Sequence, residues 1–148
     1  MVEIRIKEIY KILLVEDNKE TAGLVKKGLE LQEMIVDVAI DGEDGFEHFQ
    51  KNNYDLVKLD IEMPRMNGEE LVVKIRNINP YIDIIVYTNS SQFADIKKLV
   101  NLGITGYVNK GSEADLRELL SIVKSKLEPI NEEEMKMLID GTEHMRAD

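Results

Sequence analysis

The chain has 148 residues, 43% of them hydrophobic, with no Gly/Ser linker or tandem repeat, which fits one domain around one core. It has no cysteine, which excludes disulfides, thiolate metal sites and a cysteine nucleophile. Nineteen Lys+Arg against 29 Asp+Glu give a net charge of −10 without a basic stripe, which argues against direct contact with nucleic-acid phosphates; no apolar run exceeds four residues, against the roughly 20 that span a bilayer, so a cytoplasmic protein without membrane insertion is expected.

Residues 1–10 read as an N-terminal extension. Val2, Ile4 and Ile6 alternate there with Glu3, Arg5 and Lys7, as in a strand extension or a frayed leader. From Lys11, short β-branched-rich runs alternate with stretches of helical period. A strand over Lys11–Val15 precedes a helical stripe of Leu24, Val25, Gly28 and Leu29. A strand over Ile35–Ala39 precedes Phe46 and Phe49, and a third over Asp55–Asp60 precedes Leu71, Val72 and Ile75. Strands over Ile82–Tyr87 and Ile104–Val108 precede the stripes Ile96, Leu99, Val100 and Leu116, Leu119, Leu120, Val123; Ser112 followed by Asp115 is a capped start for the last helix.

This alternation predicts an α/β fold, a doubly wound parallel sheet with helices on both faces, over residues 11–127. Pro129 stops the fifth helix. Asn131 and Glu134 then read as a cap and its partner before Met135, Leu138 and Ile139, with Gly141 closing a short sixth helix. Residues 128–148 hold seven acids and two bases, so this acidic extension carries −5 of the net charge.

In an open parallel sheet ligands bind beyond the carboxyl ends of the strands. Glu16 and Asp17 follow the first strand, Asp60 ends the third, Thr88 follows the fourth and Lys110 follows the fifth, so every informative polar group falls on that rim. Taken singly they are ordinary: an acidic pair after a strand is usually solvated, and a strand-terminal lysine usually points at water. Taken together they are three carboxylates that repel unless a cation joins them, and Mg²⁺ suits such oxygen ligands. A hydroxyl at Thr88 and an ammonium at Lys110 would bracket a phosphoryl group, with Asp60 the best placed nucleophile for an aspartyl phosphate.

The runs Ile12-Leu13-Leu14-Val15-Glu16-Asp17, Asp55-Leu56-Val57-Lys58-Leu59-Asp60-Ile61-Glu62-Met63-Pro64-Arg65-Met66-Asn67-Gly68, Ile84-Ile85-Val86-Tyr87-Thr88 and Gly106-Tyr107-Val108-Asn109-Lys110 resemble the receiver domains of two-component response regulators in order and spacing. The resemblance implies a flavodoxin-like five-stranded sheet of order 2-1-3-4-5. It also implies that Asp60 takes a phosphoryl group from a phosphohistidine on a histidine kinase or a histidine phosphotransfer protein, in a phosphorelay whose receiver catalyses its own phosphorylation and dephosphorylation rather than turning over a substrate.

By the same resemblance Asp17 and Asp60 hold Mg²⁺ through their carboxylates, Glu62 through its backbone carbonyl and Glu16 through water, while Thr88 and Lys110 hold phosphoryl oxygens. Thr88 and Tyr107 form the switch, remodelling the face of the fourth helix, fifth strand and fifth helix for a downstream protein target. The protein is then a monomer or a phosphorylation-dependent dimer. Glu62 and Ser90 flank the acceptor, where side chains tune the lifetime of the phosphoryl group.

Several residues depart from the family pattern. Lys58 stands two residues before Asp60 where an apolar core residue is usual, and it reads either as a snorkelling side chain, the favoured reading, or as a contact to the acidic cluster that changes Mg²⁺ affinity. Asn89 is larger than the residue usual after the threonine, and Gly111 replaces a proline frequent after the lysine. Asn67 stands for the usual Asp and suits a helix start equally well. The residues after 127 are too few and too acidic for a DNA-binding module, so output is expected by protein contact. The alternatives are a phosphorylation-independent receiver-like interaction module, or a receiver fragment of a longer regulator. A Mg²⁺-dependent phosphohydrolase would carry its nucleophile after the first strand, and a flavin protein would carry a Ser/Thr/Gly-rich loop there; this chain has Glu16 and Asp17.

Overall fold

Strands and helices alternate as the sequence pattern predicts in a computed structural model, which describes residues 8–63, 65–88, 93–110, 113–128, 136–137 and 139–140. The order is β1 (Lys11–Val15), α1 (Lys19–Leu31), β2 (Ile35–Ala39), α2 (Gly42–Lys51), β3 (Leu56–Leu59), α3 (Gly68–Ile78), β4 (Asp83–Thr88), α4 (Phe93–Leu102), β5 (Gly106–Asn109) and α5 (Glu113–Leu127). All strand pairs are parallel, in order β2-β1-β3-β4-β5, so the chain reverses direction across the sheet between β1 and β3. Val15, Leu59 and Val86 stand level in the three central strands, one row below the rim.

Side chains alternate faces along a strand, which separates two apolar layers. Leu13, Val15, Val57, Leu59, Ile84 and Val86 pack with Phe49, Leu71, Ile75 and Leu99 from α2, α3 and α4. Ile12, Leu14, Leu56, Ile85 and Tyr87 pack with Val25, Leu29, Leu119 and Val123 from α1 and α5. Each fully buried Leu or Ile contributes about 1.5–3 kcal/mol relative to exposure, and these two layers hold the strand ends in place.

The helices that start at the rim are capped by short side chains. Asn18 accepts the Thr21 amide at 3.0 Å, Asp41 the Asp44 amide at 2.8 Å and Asn67 the Glu70 amide at 2.9 Å. Each cap satisfies an amide that the helix leaves unpaired and contributes on the order of 1 kcal/mol. The helix start read at Asn67 is present; Ser112, Pro129, Asn131, Glu134, Met135, Leu138 and Gly141, and the alternating Val2, Ile4 and Ile6, lie outside the described residues. Of the sixth helix, residues 136–137 and 139–140 are helical, and Ile139 is 52% exposed rather than packed on the domain.

Three strands and one stripe differ from the sequence pattern. β3 stops at Leu59, which leaves Asp60 free of the ladder at the rim. The Ile82 amide goes to the Asn79 side chain at 3.1 Å, so β4 begins at Asp83 and carries Thr88 as its last residue. The Ile104 amide returns to the Leu99 carbonyl that closes α4, so β5 begins at Gly106. On α1, Leu24 is 59% exposed and Ala22 takes the core position with Val25 and Leu29.

At the opposite pole, the Tyr54 hydroxyl donates to Asp37 at 2.7 Å and Lys11 pairs with the same carboxylate at 3.5 Å. The Tyr54 hydroxyl, ahead of an opposing effect of burial, holds the Asp37 carboxyl below the ordinary carboxylate range. That stabilisation is complete above the ordinary value of roughly 4 and is lost as pH falls through the lower folded value. Tyr54→Phe is expected to lower urea stability at neutral pH and to lose less on acidification than the parent, which paired unfolding curves at the two pH values would measure.

Candidate functional site

The chemistry collects where β1, β3, β4 and β5 end. Glu16 follows β1 and its amide bonds the Ala39 carbonyl of the neighbouring strand at 3.0 Å. The Lys110 amide bonds the Thr88 carbonyl at 2.8 Å, which sets the lysine across from Asp60. Glu16, Asp60 and Thr88 are buried, while Asp17 is exposed at the mouth. Glu16, Asp17 and Asp60 each offer a carboxylate oxygen within 4.8 Å of the others.

Two ammoniums reach into this group. Lys110 Nζ donates to Asp60 Oδ2 at 2.6 Å and to Glu16 Oε1 at 2.7 Å. Lys58 Nζ donates to the same Glu16 oxygen at 3.0 Å from a side chain that is 0% exposed. The second Glu16 oxygen accepts the Asn18 amide at 3.2 Å. Glu62 sits just beyond the acceptor, its amide 3.4 Å from Asp60 Oδ1. The Tyr87 ring lies 5.0 Å from Lys58 Nζ and 5.4 Å from Lys110 Nζ, a π face for both cations.

The charge balance follows from these distances. Burial opposes ionisation of Glu16, but Lys58 and Lys110 outweigh it and hold the carboxyl below its usual range. Burial pushes the Lys58 ammonium down to about 8, against the pull of Glu16. Burial also acts against the Lys110 charge, and its bonds to Asp60 and Glu16 more than compensate, raising it. Asp17 is raised by partial burial and by the neighbouring Glu16 and Asp60, the mark of a carboxylate set short of positive charge. A hard divalent cation with oxygen preference fits that set, in which Asp17 is exposed at the mouth, Asp60 is held by one lysine and Glu16 by two.

The sequence reading located Glu16, Asp17, Asp60, Thr88 and Lys110, and the fold brings all five to one rim. Tyr107 is half-buried against the layer under α2, α3 and α4. Asn89, Ser90 and Gly111 lie outside the described residues. The favoured reading of Lys58 fails: its ammonium does not snorkel to water but stays inside, because Glu16 is within reach at the end of the adjacent strand. Sequence reasoning missed the Tyr87 ring beneath the two lysines, although its place one residue before Thr88 is a usable signal.

It also missed a clamp between the loops after β2 and β3. Arg65, at φ 67°, pairs with Asp41 and approaches Glu43 at 3.6 Å, while Gly42 lies flat against the Met66 backbone. Gly68 completes the clamp. Its amide bonds the Ile61 carbonyl at 2.8 Å, and a Cβ there would strike the Asp60 carbonyl and lie 2.6 Å from Ile61 Cα.

A family model described as the response regulator receiver domain matches residues 12–124, and the chain belongs to that family. It is therefore a receiver domain of the response regulators of two-component signalling, and the phosphorylation-independent module is not favoured. The chain is 36% identical over 114 residues to the transcriptional regulatory protein DltR of Streptococcus agalactiae, covering 77% of this chain and 50% of DltR. It is 35% identical over 130 residues to the response regulator ArlR of Staphylococcus saprophyticus, covering 88% and 56%. The chain thus spans about half the length of these relatives. Among solved structures it is similar to a CheY-like receiver domain protein of Methanospirillum hungatei, with TM-score 0.76 and 26% identity over 88% of this chain and 99% of that one. It is also similar to the BeF3-activated receiver domain of DrrB from Thermotoga maritima, with TM-score 0.74 and 28% identity over 82% and 99%. The flavodoxin-like order 2-1-3-4-5 is the fold of these neighbours, and among the described residues no helix is long and apolar enough to cross a membrane.

Two substitutions test how the site is supported. Gly68→Ala is expected to cost about 1–3 kcal/mol in urea unfolding, because the added methyl must displace the backbone that carries Asp60. Glu16→Ala is expected to cost about 3–5 kcal/mol, since it strands the Lys58 charge in the core; the double variant Glu16→Ala/Lys58→Met should recover a large part of that loss.

Proposed function

We propose that Asp60 is the phosphoacceptor of this receiver and that Thr88 and Lys110 hold the transferred group. The observation that carries the reading is the Lys110 ammonium, which sits 2.6 Å from Asp60 and 2.7 Å from Glu16 on a rim where three carboxylates converge. An Asp60 carboxylate oxygen attacks the phosphorus of a phosphohistidine on a histidine kinase or phosphotransfer protein. The O–P bond forms as the P–N bond breaks, and the electron pair stays on the imidazole nitrogen, which takes a proton from solvent. Lys110 exchanges one of its carboxylate partners for a phosphoryl oxygen, and the Thr88 hydroxyl donates to another.

Asp17 and Asp60, with the backbone carbonyl of Glu62, would hold Mg²⁺. Bound there, the ion neutralises charge on the phosphoryl oxygens. Glu16 belongs to the same set, turned towards its lysines. Hydrolysis reverses the gain: water attacks phosphorus, the O–P bond to Asp60 breaks, and the carboxylate returns to Lys110. Glu62, exposed beside the acceptor, controls the approach of that water.

The signal leaves by protein contact. Thr88 ends β4 and Tyr107 lies in β5, so a shift of the first towards the phosphoryl group changes the packing of the second and the face of α4, β5 and α5. The partner on that face is a downstream protein, reached in the cytoplasm by a monomer or by a dimer formed on phosphorylation. Since DltR is a transcriptional regulator twice as long as the matched segment, a DNA-binding partner is a second route of output, with no direct contact from this acidic domain.

Incubation with a small acyl-phosphate donor and Mg²⁺ is expected to add one phosphoryl group by intact mass. Asp60→Asn should add none, and Lys110→Ala should slow the gain by about 10²-fold or more. Persistence of the adduct in Asp60→Asn would move the acceptor elsewhere.

A further inference from the structure

Lys58 has no part in the chemistry above, yet it is the largest fully buried side chain of the described residues and the one departure from an apolar central strand. It stands in β3 between Leu14 and Ile85 of the flanking strands, on the face covered by α1 and α5. From there its ammonium meets one carboxylate, Glu16, and one π face, Tyr87.

We propose that Lys58 is a resident cation of the phosphorylation site, a positioning residue that withholds Glu16 from the metal and weakens the site's hold on Mg²⁺. The proposal rests on the metal site described above. Glu16 has three of its four lone-pair directions taken: Oε1 receives two ammoniums, at 2.7 and 3.0 Å, and is saturated, while Oε2 receives the Asn18 amide at 3.2 Å. The electrostatics point the same way. Glu16, Asp17 and Asp60 bring three negative charges, Lys110 returns one, and Lys58 returns a second. A divalent ion entering with Lys58 in place therefore leaves the group with one positive charge in excess, whereas without Lys58 it would balance. The Lys58 charge cannot be screened by water, since its side chain is 0% exposed.

The same charge has a use in the metal-free protein. It lets the carboxylates stay within 4.8 Å of one another at rest, so the acceptor geometry is held by the chain itself rather than by the ion. A receiver of this kind needs a higher Mg²⁺ concentration for its chemistry and keeps its site formed when that concentration falls.

The test is Mg²⁺ titration of the full chain by calorimetry, with carbon-13 observation of the side-chain carboxyls. Lys58→Met, close in length and apolar, is expected to bind Mg²⁺ about tenfold tighter or more, from the removal of one buried unit charge near the ion. The direction is diagnostic: a lysine that merely packs the strand would, when replaced, loosen the site and weaken binding. In the unaltered protein the Glu16 carboxyl carbon is expected to stay still over a titration that moves those of Asp17 and Asp60. Equal or weaker Mg²⁺ affinity in a folded Lys58→Met would overturn the proposal. So would a Glu16 signal that moves as far as Asp17 in the unaltered protein, a result available even if Lys58→Met does not fold. Asp17→Asn separates the two levels: if that variant binds Mg²⁺ as well as the parent, the metal set itself is wrong, independent of Lys58.

Discussion

Three carboxylates with oxygens within 4.8 Å of one another are the constraint to which the upper half of this molecule answers. Uncompensated, such a group would drive its loops apart. Two ammoniums compensate it, one from the last strand and one from the middle of the sheet, and both meet at a single oxygen of Glu16. The parallel order β2-β1-β3-β4-β5 makes that meeting possible, because it puts the ends of β1, β3, β4 and β5 on one rim.

The supports beneath the site are as specific as its polar groups. Glycines at 42 and 68 let the loops after β2 and β3 lie against the backbone of the Asp60–Met66 segment, and Arg65 ties those loops through Asp41, which also caps α2. An aspartate that serves a helix N-terminus and an arginine at once couples the placement of α2 to the loop carrying Asp60. The buried Lys58–Glu16 pair is not explained by stability, since an apolar pair of the same volume commonly does as well or better in a core. The pair instead sets the charge at the rim, where the Lys58 ammonium and that of Lys110 meet at one Glu16 oxygen.

Much of the design was legible in the residues. Alternation of β-branched runs with helical stripes located the ten elements from β1 to α5 among the described residues, and β1 and β2 have the bounds the pattern predicted. Errors fell where a hydrogen bond outside the ladder decides an end. The Asn79 side chain claims the Ile82 amide and the Leu99 carbonyl claims that of Ile104, and neither partner is visible in the local pattern. On α1 the periodicity assigns Leu24 to the core face where the structure has Ala22, two positions earlier, because periodicity alone does not say which flank of a helix meets the sheet.

The sequence by itself determined the kind of fold and the cast of the rim: Glu16, Asp17, Asp60, Thr88 and Lys110 each follow or end a strand, and strand ends in a parallel sheet share one side. Tertiary structure alone decided what those charges do to one another. Position along β3 favours a Lys58 that reaches for water over one that contacts the acidic cluster, and the 3.0 Å approach of the Glu16 carboxylate from the end of the neighbouring strand, 42 positions away in the chain, decides for the second. Position along a strand is a local property that composition records. Pairing between charges in a low-dielectric interior depends on distances across strands, which exist only once the sheet has formed.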